Sequence, residues 1–189
     1  MKLGKTLYVA DRNAWREWLA KNHGKEKEIW LVYLRKHTGK PRIPYAHAVE
    51  EALCFGWIDS TIKRIDSEKY AQRFSVRKST GKWSQPNIER MRRLIKLGKM
   101  TPAGLAAFKN RDLLTKEQKL KISPDILTAL KHDKQVWENF QKFPDIYKRI
   151  RIAYIEDRRR QGVSAFQKSL RNFVKKTKEN KQFAFGGVQ

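Results

Sequence analysis

The stretch Ala48-Val49-Glu50-Glu51-Ala52-Leu53-Cys54-Phe55-Gly56-Trp57-Ile58-Asp59 decides how this chain folds. Pro44 opens a helix that runs to about Phe55, with Ala46, Val49 and Leu53 on one face. Gly56 ends that helix and Trp57-Ile58 enters a strand. Residues 61–65 and 70–76 then read as a hairpin around Asp66-Ser67-Glu68-Lys69. In its second arm Tyr70, Phe74 and Val76 share one face, while Arg73, Ser75 and Arg77 share the other.

Outward from this centre, Leu7-Tyr8-Val9 is expected as a short edge strand. Asp11 is expected to cap a helix from Arg12 to about Asn22 that buries Trp15, Trp18 and Leu19 and stops at Gly24. Residues 29–34 are continuously apolar and rich in β-formers, the pattern of a buried central strand, and Thr38-Gly39-Lys40-Pro41 is a turn. Downstream, Ser84 suits the cap of a helix through about Leu97, closed by Gly98. Ile88, Met91, Leu94 and Ile95 form its apolar arc, with Arg90, Arg92, Arg93, Lys96 and Lys99 around the rest. Thr101-Pro102 begins a short helix ending near Lys109.

Ser123-Pro124 caps a helical region. Pro144 divides it into a first helix holding Leu127, Leu130, Trp137 and Phe140 and a second containing Ile146, Ile150, Ala153 and Tyr154. The last helix sets Phe166, Leu170, Phe173 and Val174 on one stripe, opposite Lys168, Arg171, Lys175 and Lys178. The fold class is therefore α+β: a small, mainly antiparallel sheet covered by helices, followed by a helical C-terminal unit. Residues 1–110 read as the α+β domain, 111–122 as a linker, 123–181 as the helical unit and 182–189 as a mobile tail.

The chain has 189 residues, enough to bury a core, and its six tryptophans argue for folded packing. A single cysteine excludes an internal disulfide. The apolar run near the N-terminus is too short for a signal-peptide core, and no run approaches the roughly 18 residues of a membrane span. The expected location is the cytoplasm, and no cofactor or metal is expected. The net charge of +24 is extreme. Residues 61–120 hold 16 basic and 5 acidic side chains and residues 121–189 hold 16 and 7, against 11 and 7 in residues 1–60. A field of this sign draws in anionic ligands or acidic macromolecules, nucleic acid among them, unless it serves solubility alone.

Trp57, Asp59, Arg73, Arg77, Lys82, Trp83, Ser84 and Asn87 are the candidate ligand-binding residues. Free N–H groups at a helix start after Ser84, flanked by Arg77 and Lys82, suit an anion, and a tryptophan supplies a stacking wall. Ser84 equally serves as a plain cap, and Asp59 as a strand-end carboxylate paired with Arg73 or Arg77. Burying an arginine without a partner costs several kcal/mol, on the order of the penalty for a lone buried ion, so Arg77 is expected to contact Asp59 or to line a basic cleft beside Trp83. An alternative reading, nucleic-acid binding, uses Arg90, Arg93 and Lys96 with Lys168, Arg171 and Lys175 on two basic helices. A third, an enzyme, would use Asp59 or Cys54, but no histidine stands ready to activate the thiol and a lone cysteine more commonly packs as a small hydrophobe. Glu50 and Glu51 point about 100° apart on a helix and do not form one dyad. The four histidines have no metal-ligand spacing, and there is no glycine-rich phosphate loop. No residue is assigned a catalytic role.

Several of these segments together resemble the bacteriocin-protection, YdeI/OmpD-associated family. They are Trp15 and Trp18, Ile29-Trp30-Leu31-Val32-Tyr33, Tyr45 with the 48–59 stretch, Phe74-Ser75-Val76-Arg77, Trp83-Ser84 with Asn87, and Gly98-Lys99-Met100-Thr101-Pro102-Ala103-Gly104. The likeness covers roughly residues 5–108, and the segment from Ser123 through Phe140 and Tyr147 to Ile155 is similar to the family's second conserved region. After it, many members carry a Thr-Arg element where this chain reads Arg158-Arg159-Arg160-Gln161-Gly162-Val163-Ser164. The resemblance implies a role in protection against antimicrobial peptides or association with a porin, and it carries over no catalytic residue. Direct sequestration of cationic peptides conflicts with the charge of this chain, since like charges repel.

Overall fold

The computed structural model describes residues 3–78, 82–109, 114 and 119–184. Its contacts divide the chain into two compact units, one of Met1–Trp83 with Arg90–Thr115 and one of Ser84–Glu89 with Lys116–Gln189.

The first unit is built on four strands, β1 (Thr6–Tyr8), β2 (Glu28–Leu34), β3 (Trp57–Arg64) and β4 (Lys69–Val76). They lie in the order β1-β2-β4-β3, with β1 parallel to β2 and the other neighbours antiparallel. The sheet is thus α+β in class and mainly antiparallel, with β1 and β3 as its edges. Register places Val32 opposite Ala71 and Trp57 opposite Val76, and the β3–β4 pairing shifts between Asp59 and Ile62.

Helices α1 (Arg12–Asn22) and α2 (Tyr45–Cys54) cover the sheet. The Asp11 carboxylate accepts from the Asn13 and Ala14 amides, which fixes where α1 begins. Trp15 is fully buried, stacks on Trp18 and meets Phe74 edge-on, while its indole N–H donates to the Ala48 carbonyl at 3.0 Å. That one side chain ties α1, α2 and β4 together, and its burial contributes about 2–3 kcal/mol by the usual area scale. Every residue from Ala48 to Cys54 is buried. The helix ends at Gly56, whose φ of 75° sends the chain into β3.

Helices α3 (Gln85–Lys96) and α4 (Pro102–Ala106) follow. The Thr101 hydroxyl accepts from the Gly104 amide, and Gly104 lies against the Cys54 carbonyl. Along α3, Ile88, Met91 and Leu94 are buried as expected, but Ile95 is exposed and Arg90 is buried, so the apolar arc is narrower than the sequence suggests.

The second unit contains α5 (Pro124–Lys131), α6 (Lys134–Lys142), α7 (Asp145–Arg158) and α8 (Val163–Lys178), with a short 3₁₀ turn at Arg159–Gln161. The single helix expected before Pro144 is two. His132 closes α5, and the Asp133 carboxylate opens α6 by accepting from the Gln135 and Val136 amides. The core is Ile126, Leu130, Val136, Phe140, Phe143, Tyr147, Ile152, Ile155, Phe166 and Phe173. Ile126 and Ile155 belong to it, whereas Leu127 and Tyr154 on the same two helices do not. Of the expected linker, most lies outside the described residues, but Leu120 and Ile122 pack on this core and are not free chain. Phe183, expected in a mobile tail, also packs there, and residues 185–189 lie outside the described residues.

Candidate functional site

The turn at Gly56 sets Asp59 two residues into β3, where the strand pairs with β4. Its Oδ2 accepts two hydrogen bonds of 2.8 Å, one from the Tyr45 hydroxyl at the start of α2 and one from the Gln72 amide of β4. The Asp59 charge also acts on Arg77 and Arg90. Burial, and then the Asp59 charge, push the Tyr45 phenol up to about 12, so it remains a hydrogen-bond donor at neutral pH.

Arg77 follows β4 directly, and its amide donates to the Gly56 carbonyl at 2.9 Å. Its guanidinium lies over the Trp83 ring, 3.8 Å from the centroid, and donates to the Lys82 carbonyl. Trp83 is itself held edge-on by Phe108 at 4.5 Å. Burial pulls the Arg77 guanidinium below the usual arginine range, and the Asp59 charge opposes that pull. Arg77, Lys82 and Trp83 therefore form one fixed group, with Asp59 close enough for its charge to be felt.

The remaining sequence candidates go elsewhere. Trp57 is a core residue: it is buried, meets Trp18 edge-on and donates its indole N–H to the His23 carbonyl at 3.2 Å, so it is no ligand wall. Arg73 donates through two nitrogens to Glu28 on β2 and is committed to a cross-strand ion pair. Ser84 and Asn87 fall in the second unit, and the Ser84 carbonyl accepts from the Asn87 amide at 3.0 Å.

The nucleic-acid set is likewise divided. Arg90 is buried and Arg93 is paired with Glu50, so neither presents a free surface charge. Lys96 is exposed on α3, and Lys168, Arg171 and Lys175 are exposed on α8. Cys54 is fully buried, and burial followed by the nearby Glu51 charge pushes its thiol up to about 11. A thiol held protonated at neutral pH is a poor nucleophile.

Sequence reasoning missed the most heavily charged buried feature of this unit. Glu50 and Glu51 are both buried on α2. Arg12 donates to Glu51 and pairs with Glu50 at 3.2 Å, Arg16 takes the other Glu51 oxygen, and Arg93 takes the other Glu50 oxygen. The two carboxylates point apart, as the helical geometry requires, yet one arginine spans both. The available signal was two adjacent acids inside an otherwise apolar helix, which must find cations. With their oxygens occupied by guanidinium groups, they join helices and are poorly placed for proton transfer.

Among the described residues no group of three or more His, Cys, Asp or Glu could hold a metal ion, and no helix is long and apolar enough to cross a membrane.

Two families match the chain. Residues 7–107 match Domain of unknown function (DUF8412), and residues 119–180 match the family described as Bacteriocin-protection, YdeI or OmpD-Associated. The latter name, which the sequence suggests most strongly over residues 5–108, thus attaches to the helical second unit. No curated protein and no solved structure matches significantly. The chain belongs to the family of that domain of unknown function, which spans more than half of it, and it carries a Bacteriocin-protection, YdeI or OmpD-Associated segment as its C-terminal part.

Proposed function

We propose that this is a non-catalytic cytoplasmic binding protein that receives an anionic ligand or an acidic partner at the Arg77–Trp83 group. The observation that carries this reading is the guanidinium stacked on an anchored indole, 3.8 Å from its centroid. A guanidinium held over an aromatic ring loses little further entropy when it takes a carboxylate or phosphate. Exposed Lys82 adds positive charge beside it, and the net charge of +24 favours approach of an anion. The high thiol pKa of Cys54 and the full engagement of Glu50 and Glu51 argue for binding over catalysis.

The family description attached to the second unit names bacteriocin protection and association with OmpD. An acidic protein partner is compatible with this charge, whereas direct capture of a cationic peptide is not. The test is a calorimetric titration of the full chain with a hexa-aspartate peptide near physiological salt, repeated with Arg77→Ala and with a single-stranded oligonucleotide. Saturable peptide binding that weakens about tenfold or more in the still-folded variant is expected, the scale of losing one charge-assisted contact. Unchanged affinity in Arg77→Ala would overturn the reading, and tight, steeply salt-dependent binding of the oligonucleotide alone would favour the nucleic-acid alternative.

A further inference from the structure

The second unit holds an independent polar cleft of about 340 Å³ along α7 and α8. Arg151, Arg158, Lys168, Ser169 and Asn172 line it, and no carboxylate does so among the described residues. Arg151 is 5% exposed and Ser169 8% exposed, and both the Arg151 Nε and the Ser169 Oγ are buried without a hydrogen-bond partner among the described residues. Arg151 makes no ion pair with a described residue. Its guanidinium is packed against aromatic faces, 4.6 Å from the Tyr154 centroid and 3.9 Å from that of Phe183.

Arg158 lies on the same Tyr154 ring, 4.5 Å from the centroid, and its hydrogen bonds go to neutral oxygens of Tyr154 and Gln161. Two guanidinium groups thus share one tyrosine, and their mutual repulsion adds to burial in pulling Arg151 below the usual arginine range. A buried arginine with no carboxylate is costly in an isolated fold, and an anion in the cleft would offset that cost. Every polar residue of the lining can donate, through guanidinium, ammonium, hydroxyl or amide groups, and Ala165 and the rings of Tyr154 and Phe183 complete the wall. That set matches a small anion with several oxygens, which can accept from many directions at once.

We propose that this cleft binds a phosphate group, with Arg151 and Ser169 at its floor and Arg158 and Lys168 at its rim. The site is separate from the Arg77–Trp83 group and does not depend on it. Phosphate free in solution and the phosphate of a small monoester share this chemistry.

The experiment is thermal unfolding of the full chain against increasing inorganic phosphate, with sodium chloride at matched ionic strength and with phenyl phosphate as parallel series. A saturable rise in Tm of several degrees is expected with phosphate and not with chloride. A lower half-saturating concentration for phenyl phosphate would identify a monoester as the preferred source, and equal values would identify the free ion. Arg151→Met should fold with a Tm in chloride equal to or above that of the parent, because it removes a buried unpaired charge, and should lose the phosphate response. Lys168→Ala and Ser169→Ala, which keep the buried arginine, should each raise the half-saturating concentration several-fold, and Arg77→Ala should leave it unchanged. The proposal is overturned if chloride raises Tm as phosphate does, or if Lys168→Ala and Ser169→Ala respond to phosphate as the parent does.

Discussion

Gly104 packs its α-carbon against the carbonyl of Cys54, so that a Cβ at this position would overlap the Cys54 carbonyl group. The same carbonyl accepts from the Thr101 amide at 3.1 Å, and the Thr101 hydroxyl both donates to it and caps α4. The end of α2 and the start of α4 are thereby closed around one peptide unit. Gly104→Ala is expected to destabilise the fold by about 2–3 kcal/mol or more, the cost of forcing backbone apart in a packed core. Chemical denaturation checks this, and a change below about 0.5 kcal/mol would show that α4 can move away freely.

Glu51 is buried between Arg12 and Arg16. Glu51→Gln removes the negative charge and leaves two guanidinium groups facing an amide, so a loss of about 3 kcal/mol is expected, at the lower end for breaking a buried pair because both arginines reach solvent. Arg12→Ala should cost a similar amount, since Arg12 serves both Glu50 and Glu51. The double variant should lose less than the two single losses combined, and a double-mutant cycle measures that coupling.

The Cys54 thiol sets a pH dependence of stability. Its ordinary value is 9.0, and in the folded chain it is pushed up to about 11. Between those values the unfolded chain has released the proton while the folded chain still holds it, so stability falls as pH rises. The slope from this group is at most about 1.4 kcal/mol per pH unit, and it fades as pH falls below 9. Denaturation series at pH 8, 9, 10 and 11 should show a decline that is shallower in Cys54→Ala. At pH 7.5 the native thiol should resist iodoacetamide and react once the chain is unfolded.

Asp133 opens α6 with two backbone hydrogen bonds of 2.9 and 3.2 Å. Asp133→Ala is expected to cost about 1 kcal/mol, the usual worth of an N-cap. Asp133→Asn, which keeps the acceptor but loses the exposed pair with Lys178, should cost less. Equal losses in the two variants would assign the role to the ion pair instead.

Local signals made much of the first unit legible. Asp11 before Arg12, Pro44 before Tyr45 and Gly56 before Trp57 each mark a boundary by short-range chemistry, and the structure places the elements there. The break at His132 was hidden because Leu127, Leu130, Trp137 and Phe140 stand at helical spacing and read as one continuous helix. Long-range pairing was not legible at all. Nothing near Glu51 announces that Arg12, 39 positions away, will take it, and Arg90 looked like any other base on a basic helix. For the candidate site, the proximity of Arg77, Lys82 and Trp83 followed from their closeness in sequence. The commitment of Arg73 to Glu28 and of Trp57 to His23 depended on partners 45 and 34 positions away.

The most direct test of anion recognition at Arg77 follows the indole N–H resonances of the full chain while a hexa-aspartate peptide is added. The Trp15 and Trp57 indoles donate to the carbonyls of Ala48 and His23 inside the core and serve as internal references. The Trp83 resonance is expected to shift saturably while those two stay fixed, and the shift should disappear in Arg77→Ala. A Trp83 resonance that stays fixed through peptide saturation, or that shifts equally in Arg77→Ala, would contradict the account.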